Sequence, residues 1–187
     1  MPIELASKAN YRLNISSLAI ASLLSLSLSL LITNPGRSQE PFSQLDLQEI
    51  NEFDQFQTNY QRDLQLLELA RTGQTEAIRS LVRQGANPNI RDQYGWTPML
   101  WASVNGHTDT VRALIALGGD VNLPNDYNWT PLMWAAGSGH NEIVRILLAV
   151  GASTLAEDSN GWTPLMWAWD GRHFDTVELI KNAPSFD

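Results

Sequence analysis

Gly95-Trp96-Thr97-Pro98-Met99-Leu100-Trp101-Ala102 returns as Asn128-Trp129-Thr130-Pro131-Leu132-Met133-Trp134-Ala135, and again as Gly161-Trp162-Thr163-Pro164-Leu165-Met166-Trp167-Ala168. Thr97, Thr130 and Thr163 fall 33 residues apart each time, with no slip of register. A fixed period of this size marks stacked units, each too small to bury a hydrophobic face alone. Six of the seven tryptophans occupy just two places in the octet: Trp96, Trp129 and Trp162 before Thr-Pro, and Trp101, Trp134 and Trp167 after it.

Local rules build the rest of each unit. Thr97 is suited to cap a helix by offering its hydroxyl to an orphan backbone donor, and Pro98 suits the first helical position. Gly106 ends that helix. A second starts near Thr108, with Asp109 in its first turn favouring the helix dipole. Val111, Leu114 and Ile115 form its buried stripe, and Gly118 supplies a left-handed C-terminus. The parts recur as Thr130, Pro131, Gly139, Glu142, Val144, Leu147, Leu148 and Gly151. The expected unit is therefore two antiparallel helices and a projecting turn.

This pattern resembles the ankyrin repeat. Asp92, Gly95, Thr97, Pro98, Ala102, Gly106, His107, Val111, Leu114, Gly118, Asp120, Val121 and Asn122 sit where that family's residues sit. Thr130 to Leu132, Ala135, Ala136, Gly139, His140, Ile143, Val144, Leu147, Leu148, Gly151 and Ala152 repeat the match. The resemblance implies an all-α solenoid over residues 63–187, divided at 63–91, 92–124, 125–157 and 158–187, with a degenerate first repeat. In that first repeat Leu64, Leu67 and Ala70 mark a short helix closed by Gly73, and Ala77, Ile78, Leu81 and Val82 a second closed by Gly85. Where the family has a histidine after Thr-Pro-Leu, this chain has Leu100, Met133 and Met166, so apolar packing is expected to replace a hydrogen bond. Trp169 occupies a slot where the family prefers alanine, as if nothing packed closely there.

Ahead of the repeats, residues 1–38 read as an export signal. Lys8 and Arg12 are followed by no charge until Arg37, and Ser16 to Ile32 is apolar but rich in serine. Asn34, Pro35 and Gly36 break any helix. An uncleaved membrane anchor is the rival reading, although a bilayer core needs about 20 apolar residues. Basic residues ahead of the apolar stretch predict a C-terminal part outside the cytoplasm, periplasmic, secreted or anchored at the membrane. Residues 39–62 read as a linker and an amphipathic capping helix, with apolar residues at Leu47, Ile50, Phe53, Phe56, Tyr60, Leu64 and Leu67, a pattern that fits one long helix or two.

The chain has 187 residues, a formal net charge of −8 and no cysteine. Disulfides and thiolate chemistry are thereby excluded, and no basic stripe suggests a nucleic-acid partner. His107, His140 and His173, the only histidines, hold equivalent places in successive repeats, which predicts a structural role for them and no shared metal. With no paired carboxylates, Gly-rich phosphate loop or converging acid and base, neither catalysis nor a cofactor is expected.

The resemblance places Trp96, Trp129 and Trp162 on the concave groove, with Tyr94 and Tyr127 in the turns beside them. Contiguous exposed aromatics mark interaction sites, and tryptophan and tyrosine dominate interface hot spots. These five residues are therefore the candidate protein-binding surface. A cell-envelope glycan stacked on the same rings is the second reading. Trp101, Trp134 and Trp167 are expected to be core.

Overall fold

The computed structural model describes residues 44–183. The predicted export segment lies outside the described residues, as does the start of the linker. The described residues from Glu49 onward belong to one compact unit, which holds the repeats. Among the described residues the regular structure is eight helices and no strand.

Helix α1 (Gln44–Thr72) is a single 29-residue helix. It serves both as the predicted capping helix and as the first helix of repeat 1, so position 62 falls inside it. Leu66, Leu67, Leu69 and Ala70 are buried, whereas Leu64 is half-buried and Tyr60 is exposed. The burial shifts to this end because Leu66, Leu69 and Ala70 join the core with Ile78 and Met99. The side chains of Leu47, Ile50, Phe53 and Phe56 lie outside the described residues. Gly73, at φ +74°, ends α1.

The remaining helices come in the expected pairs. Repeat 1 closes with α2 (Thr75–Arg83), and repeat 2 holds α3 (Pro98–Val104) and α4 (Thr108–Ala116). Repeat 3 holds α5 (Pro131–Gly137) and α6 (Asn141–Ala149), and repeat 4 holds α7 (Pro164–Asp170) and α8 (Phe174–Lys181). First helices stack in one row, α3 on α5 on α7, and second helices in another, α2 on α4 on α6 on α8. Helices of seven to nine residues are marginal by themselves. Stacking holds them: Met99, Leu114, Leu132, Val144 and Leu147 are completely or almost completely buried between the rows.

The caps form as the sequence predicts. The hydroxyl oxygens of Thr97, Thr130 and Thr163 accept from the backbone N–H of Leu100, Met133 and Met166 at 3.2, 3.3 and 3.4 Å. Each such cap contributes about 1 kcal/mol. Leu100 and Met133 are buried, so apolar packing does fill the family's histidine position there. Met133 also accepts the Thr130 N–H on its sulfur at 3.4 Å. Met166 departs from the expectation: it is 49% exposed, because no described residue covers the outer side of repeat 4.

Side chains stitch each repeat to the one before. The Nε2–H of His107 donates to the Arg71 carbonyl at 3.0 Å, and that of His140 to the Val104 carbonyl at 3.1 Å. The predicted structural role of these two histidines is thus a bond to the end of the preceding repeat's first helix. Gly106, at φ +74°, allows it: a Cβ there would lie 2.8 Å from the His140 ring. Asn89 and Asn122 stitch the projecting turns. Asn89 donates to Gly118 O and accepts from Asp120 N, and Asn122 does the same with Gly151 O and Ser153 N.

Candidate functional site: an interleaved tryptophan array

One turn, built three times, delivers the first set of tryptophans. The side-chain oxygen Oδ1 of Asp92 accepts the backbone N–H groups of Tyr94 and Trp96 at 2.8 and 2.9 Å. Oδ1 of Asn125 takes those of Tyr127 and Trp129, both at 3.0 Å. Oδ1 of Asp158 takes those of Asn160 and Trp162 at 2.8 and 3.0 Å. The turn needs a left-handed residue, which Gly95 and Gly161 provide at φ +76° and +77°. In the middle copy Asn128 adopts it at φ +58°, a conformation that asparagine tolerates better than most residues. The three indoles therefore leave the backbone at equivalent points.

They do not stand apart from the helix tryptophans. Trp96 stacks on Trp101 of its own repeat, with centroids 4.4 Å apart, and meets Trp134 of the next repeat at 5.2 Å. Trp129 lies edge-on to Trp134 at 5.2 Å and to Trp167 at 5.9 Å. Trp134 and Trp167 are 6.0 Å apart, and Trp162 meets Trp167 at 5.8 Å. The expectation of a buried helix set and a separate exposed turn set is thus only half met. Trp134 is buried, but Trp101 and Trp167 are half-buried, as are Trp96 and Trp129. Of the six, Trp162 alone is classed as exposed, at 38%. Each ring pair contributes about 0.5–1.5 kcal/mol beyond area burial, so the array is structural as well as aromatic surface. Tyr94 and Tyr127 are the most open of the predicted residues, and Tyr127 stacks on Trp129 at 4.9 Å.

A carboxylate pins the array at repeat 4. Asp158 Oδ2 accepts the indole N–H of Trp129 at 3.1 Å and that of Trp167 at 3.2 Å. Burial pushes this carboxyl up, but the N–H donors of Trp162, Asn160, Trp129 and Trp167 outweigh burial and hold it below the ordinary carboxylate value. At Asp92 the balance reverses. Burial is the larger influence, outweighing the Tyr94 and Trp96 backbone donors, and the carboxyl is pushed up.

One period before Asp158 and Trp167 stand Asn125 and Trp134. Since Oδ1 of Asn125 is engaged by two backbone N–H groups, its amide Nδ2 takes the place of the second carboxylate oxygen. Nδ2 of Asn125 and Nε1 of Trp134 are both buried without a hydrogen-bond partner. At the equivalent positions of repeat 4 an acceptor and an indole donor meet, Asp158 Oδ2 and Trp167 Nε1, whereas here both side-chain atoms are donors. Sequence reasoning missed this role, although the recurring Asp92, Asn125 and Asp158 at the 33-residue period were its visible signal.

Among the described residues, no group of histidines and carboxylates is placed to hold a metal ion, and no helix is long and apolar enough to cross a membrane. A surface groove between α6 and α8, lined by residues including Asn141, Arg145, Glu178 and Leu179, contains no tryptophan. The family model described as ankyrin repeats (3 copies) matches residues 66–158 and 117–186. The chain belongs to the ankyrin-repeat family. No curated protein matches it. Ankyrin repeats generally mediate protein–protein interaction and are typically not enzymes, which gives the aromatic array of this ankyrin-repeat protein its functional setting.

Proposed function

We propose that this is an exported, non-catalytic ankyrin-repeat protein of the periplasm or cell surface, which grips a protein partner on its tryptophan-lined concave face. The observation that carries the reading is the layering of the aromatic residues. Half-buried indoles form a rigid bed, and Tyr94, Tyr127 and Trp162 stand open on it at 45%, 49% and 38% exposure. Rigid aromatic anchors lose little conformational freedom on binding and commonly serve as hot spots. The net charge of −8 favours a partner with basic residues around the contact. A glycan would need open ring faces to stack upon. The packing of Trp96 on Trp101 and of Tyr127 on Trp129 occupies much of that area, which supports a protein ligand.

Affinity capture from an envelope extract tests the proposal. Replacing Tyr94, Tyr127 and Trp162 together by Ser should weaken the captured partner by at least about 2 kcal/mol, the scale of one hot spot. The melting midpoint should fall, since Tyr127 and Trp162 each lose a ring pair that contributes about 0.5–1.5 kcal/mol, but the variant should remain folded at the assay temperature. Undiminished capture, or enrichment of polysaccharide without protein, would overturn it.

A further inference from the structure

No described residue covers the outer side of repeat 4. A solenoid face left to water is ordinarily polar. Here Trp169 and Phe174 are 63% and 59% exposed, with Met166 at 49%. The two rings pack edge-on, 5.7 Å apart. The inner repeats show what these positions do. Leu100 and Met133, equivalent to Met166, are buried, as are Ser103 and Ala136, equivalent to Trp169. Asn141, equivalent to Phe174, accepts from the Thr176 hydroxyl of the next repeat. All three positions therefore point toward whatever follows in the stack.

Chain composition has changed at this face in the direction opposite to capping. A small residue, Ser103 or Ala136, becomes Trp169, and a polar one, Thr108 or Asn141, becomes Phe174. An indole where Ser103 and Ala136 are completely buried leaves no room for another repeat in the same register. The surface is made for an occupant of different geometry.

We infer that the occupant is a second copy of this chain, joined end to end about a two-fold axis through Trp169, Phe174, Met166 and Trp162. Two features favour a copy. Large side chains offer about 150–250 Å² each, so the exposed fractions of these four amount to roughly 400 Å² of apolar surface. Exposed patches of that size are uncommon unless used. Two copies face to face bury about twice that area before the polar rim is counted, close to the ~1,000 Å² that a specific interface needs. Exposed groups of both signs, Asp170 and Arg172, adjoin Trp169 along the chain. A two-fold contact places one surface against itself, so mixed charge lets unlike groups meet.

Sedimentation of the full chain over a wide concentration range, without any partner, tests this. The expected result is a reversible monomer–dimer equilibrium. The double substitution Trp169→Ser with Phe174→Ser should weaken dimerisation by at least about tenfold, as loss of a hot spot does. Met166→Lys, a single exposed change, should weaken it independently by opposing like charges, so an unfolded double variant does not decide the matter. A monomer at every concentration would overturn the inference. So would a dimer indifferent to Met166→Lys, or growth into open polymers, which indicates head-to-tail contact. Tyr94→Ser with Tyr127→Ser, which leaves all four interface residues in place, should lose captured partner but still dimerise, and this separates the two surfaces.

Discussion

Asp158→Asn should unpin the tryptophan array while leaving its turn intact. Asparagine retains Oδ1, so the backbone N–H groups of Asn160 and Trp162 keep their acceptor. The amide then presents donors to the indole N–H groups of Trp129 and Trp167, which lie 3.1 and 3.2 Å from the present oxygen. A hydrogen bond to a charged group contributes about 1.5–3 kcal/mol. Losing two therefore removes about 3–6 kcal/mol, and relief from burying the carboxylate returns part of it. The net loss is about 2–4 kcal/mol. In a chain of this size 1 kcal/mol moves the midpoint by about 2–4 °C, so far-ultraviolet circular dichroism should record a fall of roughly 5–15 °C. The pH dependence carries a sign. Because the folded Asp158 carboxyl lies below its ordinary value, its stabilisation is complete above the unfolded value near ~3.9 and is lost as pH falls through the folded value. The gap between wild type and variant should therefore be constant at neutral pH and close in acid. An unchanged midpoint at pH 7, or a gap that persists in strong acid, would refute the reasoning.

The equivalent aspartate two repeats earlier should respond differently. Asp92→Asn keeps the Oδ1 acceptor and removes a carboxylate that burial disfavours, so its midpoint should remain within about 1 kcal/mol of wild type or rise. In the wild type the cost of ionising Asp92 is present above its raised folded value and relieved as pH falls toward the ordinary one, opposite in sign to Asp158. Asn125→Asp should give the buried Trp134 N–H an acceptor and stabilise by about 1 kcal/mol at pH 7, offset by burial of the new charge. A clearly lowered midpoint would show that the amide and indole do not oppose each other. Trp134→Ala should cost about 3–5 kcal/mol, as deletion of a buried aromatic does. Chemical denaturation of that variant checks it, and a change below about 1 kcal/mol would mean the ring is dispensable.

Much of the fold was legible because the repeat is specified locally. A threonine that caps, a proline at the first turn and a left-handed glycine act within a few residues of their own position. The period then copies them, which is why helices α3 to α8 begin where the sequence placed them. What depended on neighbouring units was less visible. Nothing in the 33-residue spacing says that a turn indole reaches forward to the helix indole of the next repeat, so Trp96 and Trp129 looked more exposed than they are. Met166 is identical to Met133 by name, but no described residue covers it, and its burial differs accordingly. The sequence left one long helix or two before repeat 1, and the structure has one: no glycine or proline interrupts residues 44–72, and burial of its described side chains concentrates near the end where other helices meet it. Asp158 was legible only as the start of the last repeat, one period on from Asn125 and two from Asp92. Its second oxygen was not, because that role needs partners 29 residues before it and nine after it in the chain.

The closeness of the rings also changes how this protein handles light. Identical chromophores 4.4–6.0 Å apart exchange excitation far faster than they emit, so a photon absorbed by one indole is shared before it is lost. Emission then reports the lowest-energy member of the array, and the six rings behave as one antenna. Removing a single tryptophan will not dim the protein in proportion to its share of the total. Coupled transitions should also give paired bands of opposite sign in the indole region of the dichroism spectrum, a signature that disappears when the repeats come apart while their helices persist. Stacking of the units can thus be followed by an optical signal separate from helix content, without attaching any label.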